Sequence, residues 1–484
     1  MDQGRTPLLD AIVEFGNGEP AYFRIPGHRF EQGVSPRLRA AFGDGVFRCD
    51  LSEAEGLDDL HQAEGVIREA QELAAELWGA REAFFLVNGT TCGNEAMVLS
   101  TARQGERVMV PRNAHKSILM GLIMSGAEPC YVMPQYYEEW NLWGSVDPEE
   151  IRKEFNRGGD GCKAVFVVSP TYYGVCSDLR KIGNICHEHG AVLCVDEAHG
   201  SHLYFSDLLP EGALQQGVDL CSQSIHKTAG SLTQSSLLQI GSDRVDRDWV
   251  AANLQMVQST SPSYVLMASL DAARQELALH GGEMMEKALE LADGARRELK
   301  RIPGIQVLDR EVASKIKIHQ LDPLRLVFSA RELGIGGYRM QELLYEQDVV
   351  STELADEENV VCVITFANTM QDINRLIGAV KRISEQKEFH GKPLKPVEWT
   401  FSLPDKALNP REAYFHKKVT VNWADAAGMV AGEMIVPYPP GIPLIYPGEL
   451  ISREIWQQVE DCRRRGLSIH GPADRSMNTI QIIV

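Results

Sequence analysis

Ala191-Val192-Leu193-Cys194-Val195-Asp196-Glu197-Ala198-His199-Gly200 begins as five apolar residues and ends in two carboxylates, a histidine and a glycine. A short apolar run without polar alternation is the pattern of a strand covered on both faces, as in parallel sheets. Such a strand delivers Asp196 to its carboxyl end, where a carboxylate is costly to bury without a cationic partner. A protonated pyridine nitrogen is one such partner, and a solvated strand-end acid is the plainer reading. His199 is either a second contact to the same ligand or a hydrogen-bonded core histidine.

Outward from this strand the texture repeats. Apolar runs at 83–87, 107–110, 129–133 and 164–168 alternate with helical stretches that end near Arg103 or cover 115–125, 148–155 and 179–189. Further strands are expected at 220–224 and 235–240. Strands separated by helices predict βαβ units, hence an α/β fold with a mostly parallel central sheet. Ligands bind such sheets at the carboxyl ends of strands, so three more strand-end clusters are read together with Asp196.

Asn88-Gly89-Thr90-Thr91-Cys92-Gly93-Asn94 follows a strand and opens a helix. Glycine permits close backbone approach, hydroxyls donate hydrogen bonds, and a helix N-terminus favours an anion. A phosphate fits, although ordinary helix caps share this composition. Ser222-Gln223-Ser224-Ile225-His226-Lys227-Thr228 leads from a strand into hydroxyls and then a lysine, 31 residues after Asp196. Lysine condenses with carbonyls, and burial lowers its pKa towards the free amine; a solvated surface charge is the alternative. Arg112-Asn113-Ala114-His115-Lys116 offers a flat imidazole that stacks on an aromatic ligand or simply opens a helix. Together the clusters supply a phosphate loop, a stacking histidine, an acid and a carbonyl-binding lysine. Pyridoxal phosphate needs one group of each kind, for its phosphate, ring face, ring nitrogen and aldehyde.

The chain has 484 residues, about three domains' worth by length. Residues 1–62 read as irregular, and Val66, Ala70, Leu73, Ala74 and Leu77 mark an amphipathic helix ending near Gly79. A long helical region is expected at 263–302 with a break at Gly281-Gly282, then a smaller α+β stretch, a polar linker at 385–400 and a Pro-rich C-terminal part. The divisions are an N-terminal arm (1–63), a large cofactor domain (64–275), a small α+β domain (276–385) and a C-terminal domain (386–484). The net charge of −19 argues against a nucleic-acid binder or docking on anionic lipid. It is compatible with a cationic small substrate, although an acidic surface usually signifies only solubility. The 10 Cys include no CxxC pair, so neither a metal site nor a disulfide framework is expected. Met1 to Asp10 carries no apolar signal core, and no run approaches the roughly 20 apolar residues of a membrane span. A cytoplasmic location is expected.

The ordered motifs resemble the pyridoxal-phosphate-dependent ornithine/lysine/arginine decarboxylases of bacterial type, nearest to short biosynthetic arginine decarboxylases without an N-terminal wing domain. The resemblance is carried by Ile25-Pro26-Gly27-His28, Leu57-Asp58-Asp59-Leu60-His61, Asn88-Gly89-Thr90-Thr91, Pro111-Arg112-Asn113-Ala114-His115-Lys116-Ser117 and Asp196-Glu197-Ala198-His199-Gly200. It continues through Ser224-Ile225-His226-Lys227, Ser231-Leu232-Thr233-Gln234-Ser235-Ser236, Thr260-Ser261-Pro262-Ser263-Tyr264 and Tyr438-Pro439-Pro440-Gly441-Ile442-Pro443. It implies an aspartate-aminotransferase-like fold (PLP fold type I) and pyridoxal 5′-phosphate as cofactor. By resemblance Lys227 binds the cofactor's aldehyde, Asp196 faces its ring nitrogen, and His115 and Ala198 cover opposite ring faces. Thr90, Thr91, Ser224 and His226 serve the phosphate side; Gly89 and His199 are grouped with the cofactor contacts on the strand-end reading given above. The proton donor to the substrate carbon is Lys227 or His226. Ser259, Thr260 and Ser261 reach the phosphate of a neighbouring subunit, so a homodimer with shared sites, or a higher oligomer, is implied. The implied reaction is decarboxylation of a basic amino acid, arginine to agmatine first, then lysine or ornithine. A non-catalytic cofactor-binding homologue is the remote reading, and an aminotransferase or aldolase a third. Glu449 and Asp50 are candidate acids for the distal cation, or structural acids.

Overall fold

The apolar runs form strands because β-branched and aliphatic side chains can be covered from both sides. In the computed structural model, which describes residues 1–18, 20–159, 161–395, 402–438 and 441–484, the chain divides into two units. The first is Met1–Thr101 with Val192–Met284, the second Ala102–Ala191 with Met285–Val484. Residues 396–400 of the expected linker, and Pro439 and Pro440, lie outside the described residues.

In the first unit the strands Glu82–Leu86, Ser236–Ile240, Leu220–Gln223 and Val192–Asp196 are neighbours in that order. The first two pairings are antiparallel and the last is parallel, placing Asp196 opposite Ser222. Every residue of Leu220–Gln223 and Ser236–Ile240 is buried, which explains their unbroken apolar or small-polar texture. In the second unit Cys162–Val168, Arg107–Pro111 and Glu128–Val132 run parallel in that order. These strands make a mixed, mostly parallel α/β architecture of the kind expected. The second unit also holds a four-stranded antiparallel sheet, Gln306–Leu308, Arg325–Ser329, Asn359–Val363 and Leu354–Ala355. Its C-terminal part pairs Lys418–Asn422 with Thr479–Ile483 over a core that includes Trp423, Ile435, Ile445 and Ile455. Among the described residues no helix is long and apolar enough to cross a membrane.

Two expectations need correction. The 1–62 stretch is not wholly irregular: it contains helices Pro7–Asn17, Pro36–Phe42 and Gly45–Cys49. Leu8, Ile12 and Gly16 make a stripe too narrow to announce a helix, and long-range bonds complete it. Asp271 accepts the Leu8 and Leu9 N–H groups at 3.0 and 3.3 Å, while Arg274 pairs with Asp271 at 2.7 Å and holds the Gln3 carbonyl at 2.6 Å. The second correction concerns Gly281-Gly282. The helix Tyr264–Leu299 runs through both without interruption. Gly281 is where Phe205 packs: a Cβ there would sit 2.8 Å from the ring, which itself meets Trp78 edge-on at 5.7 Å. A Cβ on Gly282 would meet open space.

The pair gives opposite expectations. Gly282→Ala should raise stability by roughly 0.5–1 kcal/mol through helix propensity. Gly281→Ala should lower it, because the ring must leave Trp78. Chemical denaturation of the two variants checks this, and equal shifts of the same sign would contradict it.

Candidate active site

Asp196 ends its strand, is 6 % exposed, and has each carboxylate oxygen engaged. Asn94 Nδ2 donates to Oδ2 at 2.7 Å and the Ala198 N–H to Oδ1 at 3.1 Å. A carboxylate offers about four acceptor sites, so capacity for a further, cationic donor remains. Asn94 lies on the helix Gly89–Thr101, four residues after Thr90 and therefore on the same face. Thr90 Oγ1 lies 2.6 Å from Ser224 Oγ and 3.3 Å from Ser236 Oγ. This double attachment is possible because residue 93 is glycine: a Cβ there would lie 2.2 Å from Ser222 Oγ. Gly89 opens the helix at φ +72°, and Thr91 is half-buried beside it. Cys92 is fully buried, its Sγ 3.1 Å from the Gly89 carbonyl, and burial pushes its thiol up to about 12. It is a neutral core residue.

Lys227 rides on the one-turn helix Ile225–Thr228, half-buried, with Nζ 3.1 Å from His199 Nε2. His199 is buried in the turn that follows Asp196, and Ala198 is buried between them in sequence. His226 directs Nδ1 to the Ser235 carbonyl at 2.9 Å, and burial lowers its pKa, which favours the neutral ring. The first unit thus assembles a hydroxyl cluster at a helix N-terminus, a buried acid and an amine beside an imidazole. That donor set fits pyridoxal phosphate: hydroxyls and helix N-terminus for the phosphate, acid for the ring nitrogen, amine for the aldehyde.

Other named residues stand elsewhere. His115, in the second unit, caps the helix Lys116–Ser125, with Nδ1 2.8 Å from Ser117 Oγ. Ser259, Thr260 and Ser261 form an exposed turn, held where His61 Nε2 lies 2.8 Å from the Ser259 carbonyl. Glu449 is committed to Arg112 through two bonds of 2.6 Å, and Asp50 lies 3.0 Å from His28 Nε2. Glu449 is a structural acid. Sequence reasoning assigned no role to Asn94 or Ser236; the four-residue step from Thr90 was the available signal for Asn94.

A family model described as Orn/Lys/Arg decarboxylase, major domain, matches residues 6–372, and its C-terminal-domain counterpart matches residues 397–461. The chain belongs to the Orn/Lys/Arg decarboxylase family. It is accordingly a carboxy-lyase. Arginine decarboxylase of Halalkalibacterium halodurans is 36% identical over 99% of this chain and 98% of its own length. Arginine decarboxylase of Bacillus subtilis is 35% identical over 100% and 99%. The solved lysine decarboxylase A of Pseudomonas aeruginosa superposes with a TM-score of 0.86 at 23% identity, covering 99% of this chain and 80% of that one.

In this decarboxylase the carboxylate next to Asp196 is turned away from Asn94. Glu197 is 1 % exposed and accepts bonds from Tyr204 Oη, the Ala213 N–H and Gln223 Nε2, each at 2.7 Å. Burial outweighs these bonds and raises its pKa from 4.5 to about 7. In the unfolded chain the group ionises near 4.5. Between about pH 4.5 and 7 the native state therefore binds more protons, and stability falls as pH rises, by about 3 kcal/mol in total at about 1.4 kcal/mol per pH unit. Urea unfolding across that range should show a shallower fall in Glu197→Gln than in the wild type; identical slopes would contradict the assignment.

Proposed function

We propose that the chain decarboxylates L-arginine to agmatine and CO2, using pyridoxal 5′-phosphate. The observation that carries the substrate is the identity pattern. The arginine decarboxylases share 35–36% with this chain over 99–100% of its length, whereas lysine decarboxylase LdcA of Pseudomonas aeruginosa shares 25% over 94% of it.

Thr90, Ser224 and Ser236, with the N-terminus of the helix Gly89–Thr101, take the phosphate; Gly89, Thr91 and His226 stand on the same side. Lys227 would hold the aldehyde and Ala198 would lie against the ring; His115 is assigned to the ring by the family resemblance alone. Asp196 holds the ring-nitrogen proton, and Asn94 keeps the carboxylate aimed. Bound pyridoxal phosphate supplies a ring that accepts the electron pair left when CO2 departs. A protonated His199, its Nε2 3.1 Å from Lys227 Nζ, would return a proton to the free lysine amine. That relay favours Lys227 as the donor to the substrate carbon, since the His226 Nδ1–H is already committed to Ser235. The exposed Ser259–Thr260–Ser261 turn is the contact offered to a second subunit of a homodimer. Ten free cysteines suit a reducing cytoplasm, and the product amine suits polyamine synthesis.

The protein loaded with pyridoxal phosphate should release CO2 from arginine with a kcat/KM at least about tenfold above those for lysine and ornithine. Identifying the amine checks this, and cadaverine or putrescine as the main product would overturn the substrate. A charge pair at about 4 Å is worth about 4 kcal/mol at an effective dielectric near 20, so Asp196→Ala should lose about 10²-fold or more in kcat. Full activity in Asp196→Ala would refute the role of that carboxylate.

A further inference from the structure

Three residues before His115 lies one of the most buried charges of the second unit. Arg112 is 2 % exposed and Glu449 1 %. Two parallel bonds of 2.6 Å join guanidinium and carboxylate. Arg112 Nε donates to the Pro443 carbonyl at 2.9 Å and a terminal nitrogen donates to the Leu444 carbonyl at 3.1 Å. Glu449 also accepts the Tyr446 N–H at 2.7 Å. The guanidinium lies over the rings of Tyr131 and Tyr446, 5.0 and 4.3 Å from their centroids. A planar fork matches a carboxylate bidentately and stacks on aromatic rings, which an ammonium does not do in the same way.

The backbone of Arg112 is pinned as firmly as its side chain. Its N–H donates to the Val132 carbonyl at 2.9 Å, and the Ala114 N–H returns to the Pro111 carbonyl at 3.0 Å. Asn113 Nδ2 donates to the Gly144 carbonyl at 3.1 Å. His115 follows at once, its carbonyl accepting the Ile118 N–H at 2.9 Å and its Nδ1 receiving the Ser117 N–H at 3.3 Å. Only Asn113 and Ala114 separate the pinned arginine from the capping histidine. A buried ion pair adds little net stability over apolar packing, whereas removing one partner leaves the other charge buried and unpaired.

We infer that the Arg112–Glu449 pair is a clamp by which the 443–449 segment sets the position of His115, making Arg112 and Glu449 positioning residues for the decarboxylation. The inference rests on the reading above that His115 covers the cofactor ring. It also gives Glu449 a role other than holding the distal cation of the substrate.

Two measurements separate the clamp from that reading. The first uses the cofactor-free protein. Glu449→Gln keeps the side-chain volume and removes the charge, and amide hydrogen exchange in the peptide spanning residues 112–118 should quicken about tenfold. Unchanged exchange overturns the clamp, and the same measurement on Arg112→Lys decides the matter if Glu449→Gln does not fold. The second uses the loaded enzyme. Arg112→Lys should lower kcat about tenfold with KM for the amino acid held within about twofold, and should alter the visible circular dichroism of the bound cofactor. Combined with His115→Ala, its loss in kcat should not add to that of the histidine variant. Additive losses, or wild-type kcat in Arg112→Lys, overturn the positioning role. Wild-type kcat in His115→Ala alone overturns the reading of His115, and the positioning role with it, while the exchange experiment still judges the clamp by itself.

Discussion

The helix Gly89–Thr101 lies so close to the strand Leu220–Gln223 that a Cβ at position 93 would collide with Ser222. This approach is the constraint on which the site depends. It lets Thr90 reach Ser224 and Ser236, and it lets Asn94, one turn on, reach the carboxylate of Asp196. A buried carboxylate left without donors would cost several kcal/mol or take up a proton. With Asn94 and the Ala198 N–H in place, it stays aimed at a fixed point with acceptor capacity to spare. The helix end proposed for the phosphate and the acid are therefore set by a single packing contact, and rigid elements rather than loops carry both.

Much of this was legible in the sequence. The apolar run before Asp196, the hydroxyls after Gly89 and the lysine after Ser224 all sit at strand ends, and strand ends are where open α/β sheets bind ligands. Residue type and element period are local properties, so they survive without coordinates. What could not be read was partnership at long range. Asn94 meets Asp196 across 102 residues and His199 meets Lys227 across 28. Nothing in local pattern distinguishes Asp196 from Glu197; the strand's alternation sends one to Asn94 and the other into a nest of Tyr204, Gln223 and the Ala213 amide.

The same limit explains the corrections. The helix Pro7–Asn17 draws its order from Asp271 and Arg274, more than 260 residues away, so its own short stripe was a poor guide. Gly281-Gly282 looked like a break because glycine weakens an isolated helix; here a ring fills the space that a side chain would take. Glu449 looked available for a cationic substrate until its arginine appeared 337 residues upstream. The net charge of −19 agrees with a cationic substrate without pointing to any one acid.

Lys227, with Nζ 3.1 Å from His199 Nε2, is the residue proposed to hold the cofactor's aldehyde. Borohydride reduction of the protein incubated with pyridoxal phosphate, followed by peptide mapping, tests it most directly. The account predicts one stoichiometric pyridoxyl label, on Lys227. A label on another lysine, or none, would contradict it.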